Sequence, residues 1–213
     1  MNNIRIFKSK ITIYILLFIL AFIVNFASPF NPLNFREMYI DSSVYITVTH
    51  YITKGLLLYK DIADNKGPLL YFINVPGYFL GGFTGVWITQ LIMLFISIFF
   101  AYKTALLFGN KINSILCTFF SFFIFLRYSY IQIGAEEYSL PFMMISIYIF
   151  CKHYFSSKRE TNFFDLMTLG ICFTFSIIMR LNMFSLWAGF CFVIFIESII
   201  RCHFLLLLKY ILG

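Results

Sequence analysis

The sequence predicts an all-α, polytopic membrane protein, and three observations carry that expectation. Of 213 residues, 61% are hydrophobic and only 12% charged, where a soluble domain runs at about 45–50% apolar and about 25% charged. The apolar residues gather into stretches close to the roughly 20 residues that a helix needs to cross a bilayer. The charges fall between those stretches, with Lys and Arg concentrated on alternate loops. A soluble enzyme and a disordered chain are excluded by this balance. The net charge of +7 comes with no basic stripe in a polar setting, so no nucleic-acid partner is expected.

Six stretches qualify as spans, roughly residues 11–30, 86–106, 112–128, 138–155, 163–180 and 184–203. The first follows the basic residues Arg5, Lys8 and Lys10 and is too long for a secretory core, so it reads as an uncleaved span. A seventh apolar piece, 67–82, is short and interrupted by Pro76, Gly77, Gly81 and Gly82. It reads as a re-entrant or interfacial helix. With the N-terminus cytoplasmic and that piece returning to the outer face, the inner side holds ten basic residues (Arg5, Lys8, Lys10, Lys103, Lys111, Lys152, Lys158, Arg159, Arg201, Lys209) and three acidic ones (Glu160, Asp165, Glu197). The outer side holds six of each sign. If 67–82 crossed, every later loop would swap sides and the inward excess of positive charge would vanish.

Six of the nine carboxylates thus fall on the outer face. Residues 31–66 form the one long segment between spans. Asp41-Ser42-Ser43 supplies residues that cap helix N-termini, and Val44, Ile46, Val48, Tyr51 and Ile52 form an apolar series ending at Gly55. That pattern predicts an amphipathic helix on the outer membrane surface. The five cysteines, Cys117, Cys151, Cys172, Cys191 and Cys202, are scattered through apolar runs and form neither a zinc pattern nor a disulfide framework.

The string Asp41-x-x-x-Tyr45, then Gly55, Tyr59-Lys60-Asp61 and above all Asp64-Asn65-Lys66-Gly67-Pro68-Leu69-Leu70-Tyr71 resembles the first outer loop of GT-C fold glycosyltransferases that use lipid-linked sugars. The likeness is to the bacterial branch related to protein O-mannosyltransferases and lipid A aminoarabinose transferases. Gly134-Ala135-Glu136-Glu137-Tyr138-Ser139-Leu140-Pro141 is similar to their second outer loop, and Arg180-Leu181-Asn182 to a basic-x-Asn element of the bacterial branch. Where the protein mannosyltransferases carry an acidic pair in the first loop, Asp41 is followed by Ser42. Such enzymes are longer, so the resemblance implies that residues 1–213 form one transmembrane domain, the N-terminal half of such an enzyme, with the candidate active site in the outer region 31–85.

The resemblance implies a polyprenyl-phosphate sugar as donor and a cell-envelope polysaccharide, glycolipid or protein as acceptor. Transfer to a hydroxyl needs a general base and positive charge or a metal to stabilise the departing phosphate. Asp41 is assigned as base or metal-orienting carboxylate, Glu136 or Glu137 as the second carboxylate, and Lys66, Arg127 and Arg180 as phosphate partners. A divalent cation is an optional cofactor, with Asp41 its best-placed ligand. Each residue has a plainer reading: Asp41 as a helix cap, Lys66 as an interface anchor, the glutamates as solvated helix-start charges, and the arginines as ordinary helix-end cations. Asp61, Asp64 and His50 read as loop-shaping or exposed. The alternative function is an envelope-glycan transporter or flippase, or a non-catalytic membrane protein. A transporter requires polar residues lining a path through the spans, and the sequence offers little there beyond Thr89, Gln90 and small hydroxyls.

Overall fold

A computed structural model describes residues 2–33, 40–128, 134–155 and 162–200, with side chains described except at 2–10, 125–128, 198 and 200. The described residues are helical throughout their ordered elements. In chain order these are α1 (Asn2–Phe26), α2 (Ile40–Thr53), α3 (Leu69–Phe72), α4 (Val75–Ala105), α5 (Lys111–Tyr128), α6 (Ala135–Phe155), α7 (Phe163–Met179), a 3-10 turn (Leu181–Phe184) and α8 (Ser185–Ile200). Among the described residues, α4 is the one helix long and apolar enough to cross a membrane; Ile11–Phe26, Lys111–Ile124, Phe163–Met179 and Leu181–Glu197 are shorter apolar helices.

The centre of the molecule is α4, which packs against α1, α5, α6 and α2. Leu17, Leu20, Ala21 and Val24 recur at helical spacing along α1 and meet Leu91, Leu94 and Ile98 of α4 in one core cluster. Polar bonds fix the register of this pair. Asn25 Nδ2 donates to the Trp87 carbonyl and Trp87 Nε1 to the Asn25 carbonyl, both at 3.0 Å, while Ser28 Oγ donates to Gln90 Oε1 at 2.6 Å. Small hydroxyl residues sit where helices approach. Ser97, Ser146 and Ser176 are buried and spend their hydroxyls on carbonyls one turn earlier in their own helices. Such side chains let helix backbones come close without stranding a polar group in an apolar setting.

α4 is two helices rather than one. Gly81 (φ −152°, ψ 17°) and Gly82 (φ 56°, ψ −132°) leave the helical region. A Cβ on Gly85 would lie 1.8 Å from the Gly77 carbonyl oxygen, and one on Gly77 would lie 2.6 Å from the Gly85 carbonyl oxygen. Eight residues of straight helix would separate these glycines by about 12 Å, so the chain doubles back at Gly81–Gly82 and its two arms touch backbone to backbone. Gly82 supplies the positive φ of that reversal. Residues 83–105 then run straight for about 34 Å, enough for a hydrocarbon core of about 30 Å. The short, glycine-broken piece expected at 67–82 is thus α3 plus the returning arm of α4.

The helix expected after Asp41 is α2, and it ends as its sequence dictates. Gly55 (φ 89°) closes it: Gly55 N–H donates to the Ile52 carbonyl at 3.0 Å and Leu56 N–H to the Tyr51 carbonyl at 3.1 Å. The buried face differs from the expected one. Ser42, Tyr45, Ile46 and Thr49 face inward with Val48, while Val44 and Tyr51 are exposed. The series 42, 45, 46, 49 is the i, i+3, i+4, i+7 face of a helix packed on protein, and α2 does pack on α3 and α4. Asp41 lies within the first turn of α2 rather than capping it.

Gly85→Ala is expected to lower unfolding stability by about 1–3 kcal/mol through backbone overpacking. Gly81→Ala, where nothing lies within 4 Å of the added methyl, stays within about 0.5 kcal/mol. Denaturant titration of the full chain in mixed micelles checks both, and equal losses would contradict the backreaching arm.

Candidate active site

At one end of the bundle a second core cluster joins Phe30, Tyr45, Ile46, Leu70, Tyr71, Val86, Tyr138 and Met179. It is the floor on which the loop residues stand. Two hydrogen bonds tie the floor together. The Tyr138 hydroxyl of α6 donates to Asn74 Oδ1 at 2.6 Å, and His50 Nδ1 of α2 meets the Tyr78 hydroxyl of α4 at 3.1 Å. His50 is thus half-buried in α2 and bonded to Tyr78, rather than loop-shaping or exposed as expected.

Above the floor, residues 57–67 make a strap shaped by its own acids. Asp61 Oδ2 accepts from Leu57 N–H at 2.9 Å, and Asp61 N–H returns a bond to the Leu57 carbonyl at 2.9 Å. Tyr59 takes a left-handed conformation (φ 68°) that non-glycine residues rarely adopt. It is held there by its N–H on the Ile62 carbonyl and its hydroxyl on the Lys66 carbonyl. Asp64 Oδ1 accepts from the N–H groups of Asn65 and Lys66 at 2.5 and 3.2 Å. The loop-shaping reading of Asp61 and Asp64 is thus what the strap displays.

Gly67 fastens the strap to α7. Its N–H donates to the Met179 carbonyl at 3.1 Å, and a Cβ at this position would lie 1.6 Å from the Ile178 carbonyl oxygen. Only glycine permits that approach. Pro68 follows at φ −65° and starts α3. The contact sets Lys66 beside Arg180, the first residue beyond α7, which is extended (φ −162°, ψ 127°). Lys66 and Arg180 line one cavity of about 500 Å³ with Tyr59, Asp64 and Asn65 of the strap and Leu181 and Asn182 of the 3-10 turn.

Glu136, in the first turn of α6, accepts a hydrogen bond from the Arg180 guanidinium. Asp41, Asp64 and Glu136 together act on the buried phenol of Tyr45. Burial first, then these three charges, push it up to about 12, with Arg180 partly opposing. Burial, then Asp64, likewise raises Tyr71, whose ring lies edge-on to Tyr45 at 6.0 Å. Carboxylates of both acidic clusters are thus felt at Tyr45, and Asp64 at Tyr71 as well. Glu137 stands differently. It is half-buried, with its carboxylate against Gly134 and hydrogen-bonded to its own N–H; burial, with Glu136 adding, raises it to about 7. Arg127 is in the last turn of α5, and its side chain lies outside the described residues.

The structure thus joins Lys66, Glu136 and Arg180 of the expected set through the cavity and the ion pair and adds Tyr59, Asp64 and Asn182, while Asp41 acts through its charge on Tyr45, one turn on in α2. Among the described residues no three His, Cys, Asp or Glu side chains come together to hold a metal ion. The donor set that Asp41 would need for a divalent cation is therefore not assembled in the described part.

Two outcomes follow from these contacts. Gly67→Ala must displace backbone, so it should cost about 1–3 kcal/mol and speed proteolytic cleavage within 57–66; an unchanged cleavage rate would contradict the docking of the strap. For Glu137, the folded pKa of about 7 exceeds the ordinary carboxylate value of 4.5, so the folded state binds more protons than the unfolded state between those values. Stability is then greatest below about pH 4.5, falls as pH rises to about 7 and is flat beyond, for this group's share. Glu137→Gln should remove that slope in pH-dependent thermal unfolding. Set against protein-family models, curated proteins and solved structures, the chain matches none of them.

Proposed function

We propose that this chain is the catalytic membrane region of a glycosyltransferase that moves a sugar from a polyprenyl-phosphate donor to a hydroxyl of a cell-envelope acceptor. In this reading it is multi-pass, with α1, α4, α5, α6, α7 and α8 crossing the cytoplasmic membrane and the N-terminus inside. α2, α3 and the strap then lie at the outer face. One observation carries the reading: Lys66 and Arg180 line one cavity together with Asp64, and Glu136 accepts a hydrogen bond from that Arg180. A phosphate at headgroup height suits the two cations, and an acceptor hydroxyl needs a carboxylate within reach.

The acceptor oxygen attacks the anomeric carbon while the bond from that carbon to the phosphate oxygen breaks. The polyprenyl phosphate departs with the bonding electrons. Lys66 and Arg180 stabilise the charge gathering on the phosphate, interactions that strengthen as the bond breaks. Asp41, exposed in the first turn of α2, takes the acceptor proton. The hydroxyls of Ser97, Ser146 and Ser176 are committed to their own helices, and Asn25 and Gln90 to the α1–α4 pairing. That use of the polar groups favours transfer at the surface over a polar path through the spans.

The test is release of polyprenyl phosphate from labelled polyprenyl-phosphate sugars by membranes containing the chain together with any sequence that follows it. Lys66→Ala and Asp41→Asn should each slow release by about 100-fold or more, with unchanged amounts of protein in the membrane. Release that is absent across several donors, or indifferent to both substitutions, would overturn the reading.

A further inference from the structure

Arg180 belongs to two arrangements at once. Its guanidinium donates to the Glu136 carboxylate, and its side chain lines the cavity that Lys66 also lines. The ion pair is open to solvent, with 38% of the Arg180 side chain and 58% of the Glu136 side chain exposed. Exposed pairs of this kind contribute little stability and exchange readily. Arginine presents the same fork of donors to a carboxylate or a phosphate, so a phosphate in the cavity competes with Glu136 for one guanidinium. Lys66 adds attraction for the phosphate that Glu136 does not share.

We infer that the Glu136–Arg180 ion pair is a latch opened by the anionic ligand: a phosphate taken up by Lys66 and Arg180 draws the guanidinium away from Glu136 and frees its carboxylate. While paired, Glu136 spends a carboxylate oxygen on Arg180. Once released it offers both oxygens to the acceptor side, so the full carboxylate is free only when the phosphate is seated. Glu136 is in this sense a positioning residue for Arg180 and a gate on its own availability. The identity of the phosphate as the head of a lipid rests on the glycosyl-transfer reading; the exchange itself does not.

Binding of two probes to the purified full chain in micelles tests the latch: inorganic phosphate, and citronellyl phosphate as a short isoprenoid phosphate. Glu136→Gln should tighten the phosphate probes about threefold, the gain from removing an exposed competitor. Asp41→Asn, which removes an equal charge not paired to Arg180, should tighten them by less. Arg180→Gln should weaken binding at least tenfold, and adding Glu136→Gln to it should restore nothing. Thermal unfolding of each variant reports that it is folded. If Glu136→Gln leaves affinity unchanged or weaker while Arg180→Gln abolishes it, the latch is wrong and the phosphate site stands. If wild type binds neither probe, or binds both as well without Lys66 and Arg180, latch and phosphate reading fall together. Tightening by Glu136→Gln with inorganic phosphate alone keeps the latch and removes the lipid headgroup as its key.

Discussion

The site depends on one close approach: the Gly67 backbone lying against the end of α7. Leu58 and Ile62 rest the strap on the core cluster, while Tyr59, Lys60 and Asp61 are exposed and its internal bonds only shape it. Its anchor is the Gly67 N–H on the Met179 carbonyl, made at a helix C-terminus where carbonyls lack partners within the helix. The absent side chain brings the strap against Ile178. Lys66, one residue earlier, is thereby held near Arg180, one residue past that carbonyl. A cation from residue 66 and a cation from residue 180 share a cavity because a glycine separates one of them from a helix end.

What keeps that anchor meaningful is the rigidity beneath it. Tyr71 and Leu70 of α3 are fully buried, as are Val86 of α4 and Met179 of α7, so three elements that are distant in sequence meet under the strap. Buried side chains packed at crystal-like density transmit position rather than absorb it. The Tyr138–Asn74 bond adds α6 to the same block, which is why Glu136, two residues before Tyr138, arrives at Arg180. The hairpin at Gly81–Gly82 lets one apolar run contribute both the returning arm that carries Tyr78 and the long helix that carries Val86.

Much of the fold was legible in the sequence because apolar runs and glycines act locally. Apart from α1, which begins nine residues before the expected stretch at 11–30, the long helices follow the apolar stretches to within a few residues, Gly55 ends α2 through carbonyls it must satisfy, and the Pro and Gly residues of 67–82 break that piece where the chain turns. The site was legible in part. The residues of the acidic and basic sets could be named, but their meeting is a matter of helix packing, which composition does not encode. The face of α2 was misread for the same reason. Of the apolar series Val44, Ile46, Val48, Tyr51 and Ile52, Ile46 and Val48 do face inward while Val44 and Tyr51 are exposed; the partner is a protein wall that also accepts Ser42, Tyr45 and Thr49, with the Thr49 hydroxyl bonded to the Tyr45 carbonyl at 2.8 Å. Gly67 read as part of a motif; its role as a backbone contact required knowing that α7 ends beneath it.

The arrangement of charge narrows what such a site can hold. Cations from the strap and the α7 terminus line the cavity, while carboxylates from α2, the strap and α6 act on Tyr45 at its side. A uniformly anionic ligand would be drawn by Lys66 and Arg180 and repelled by Asp41, Asp64 and Glu136. A neutral polyol would gain from the carboxylates as hydrogen-bond acceptors and leave the cations unused. On the proposed reading, the ligand that satisfies both halves carries a compact anion at one end and hydroxyl groups at the other. Arg180, facing both halves, is where the two requirements meet, so the charge of one half is felt by the other through a single guanidinium.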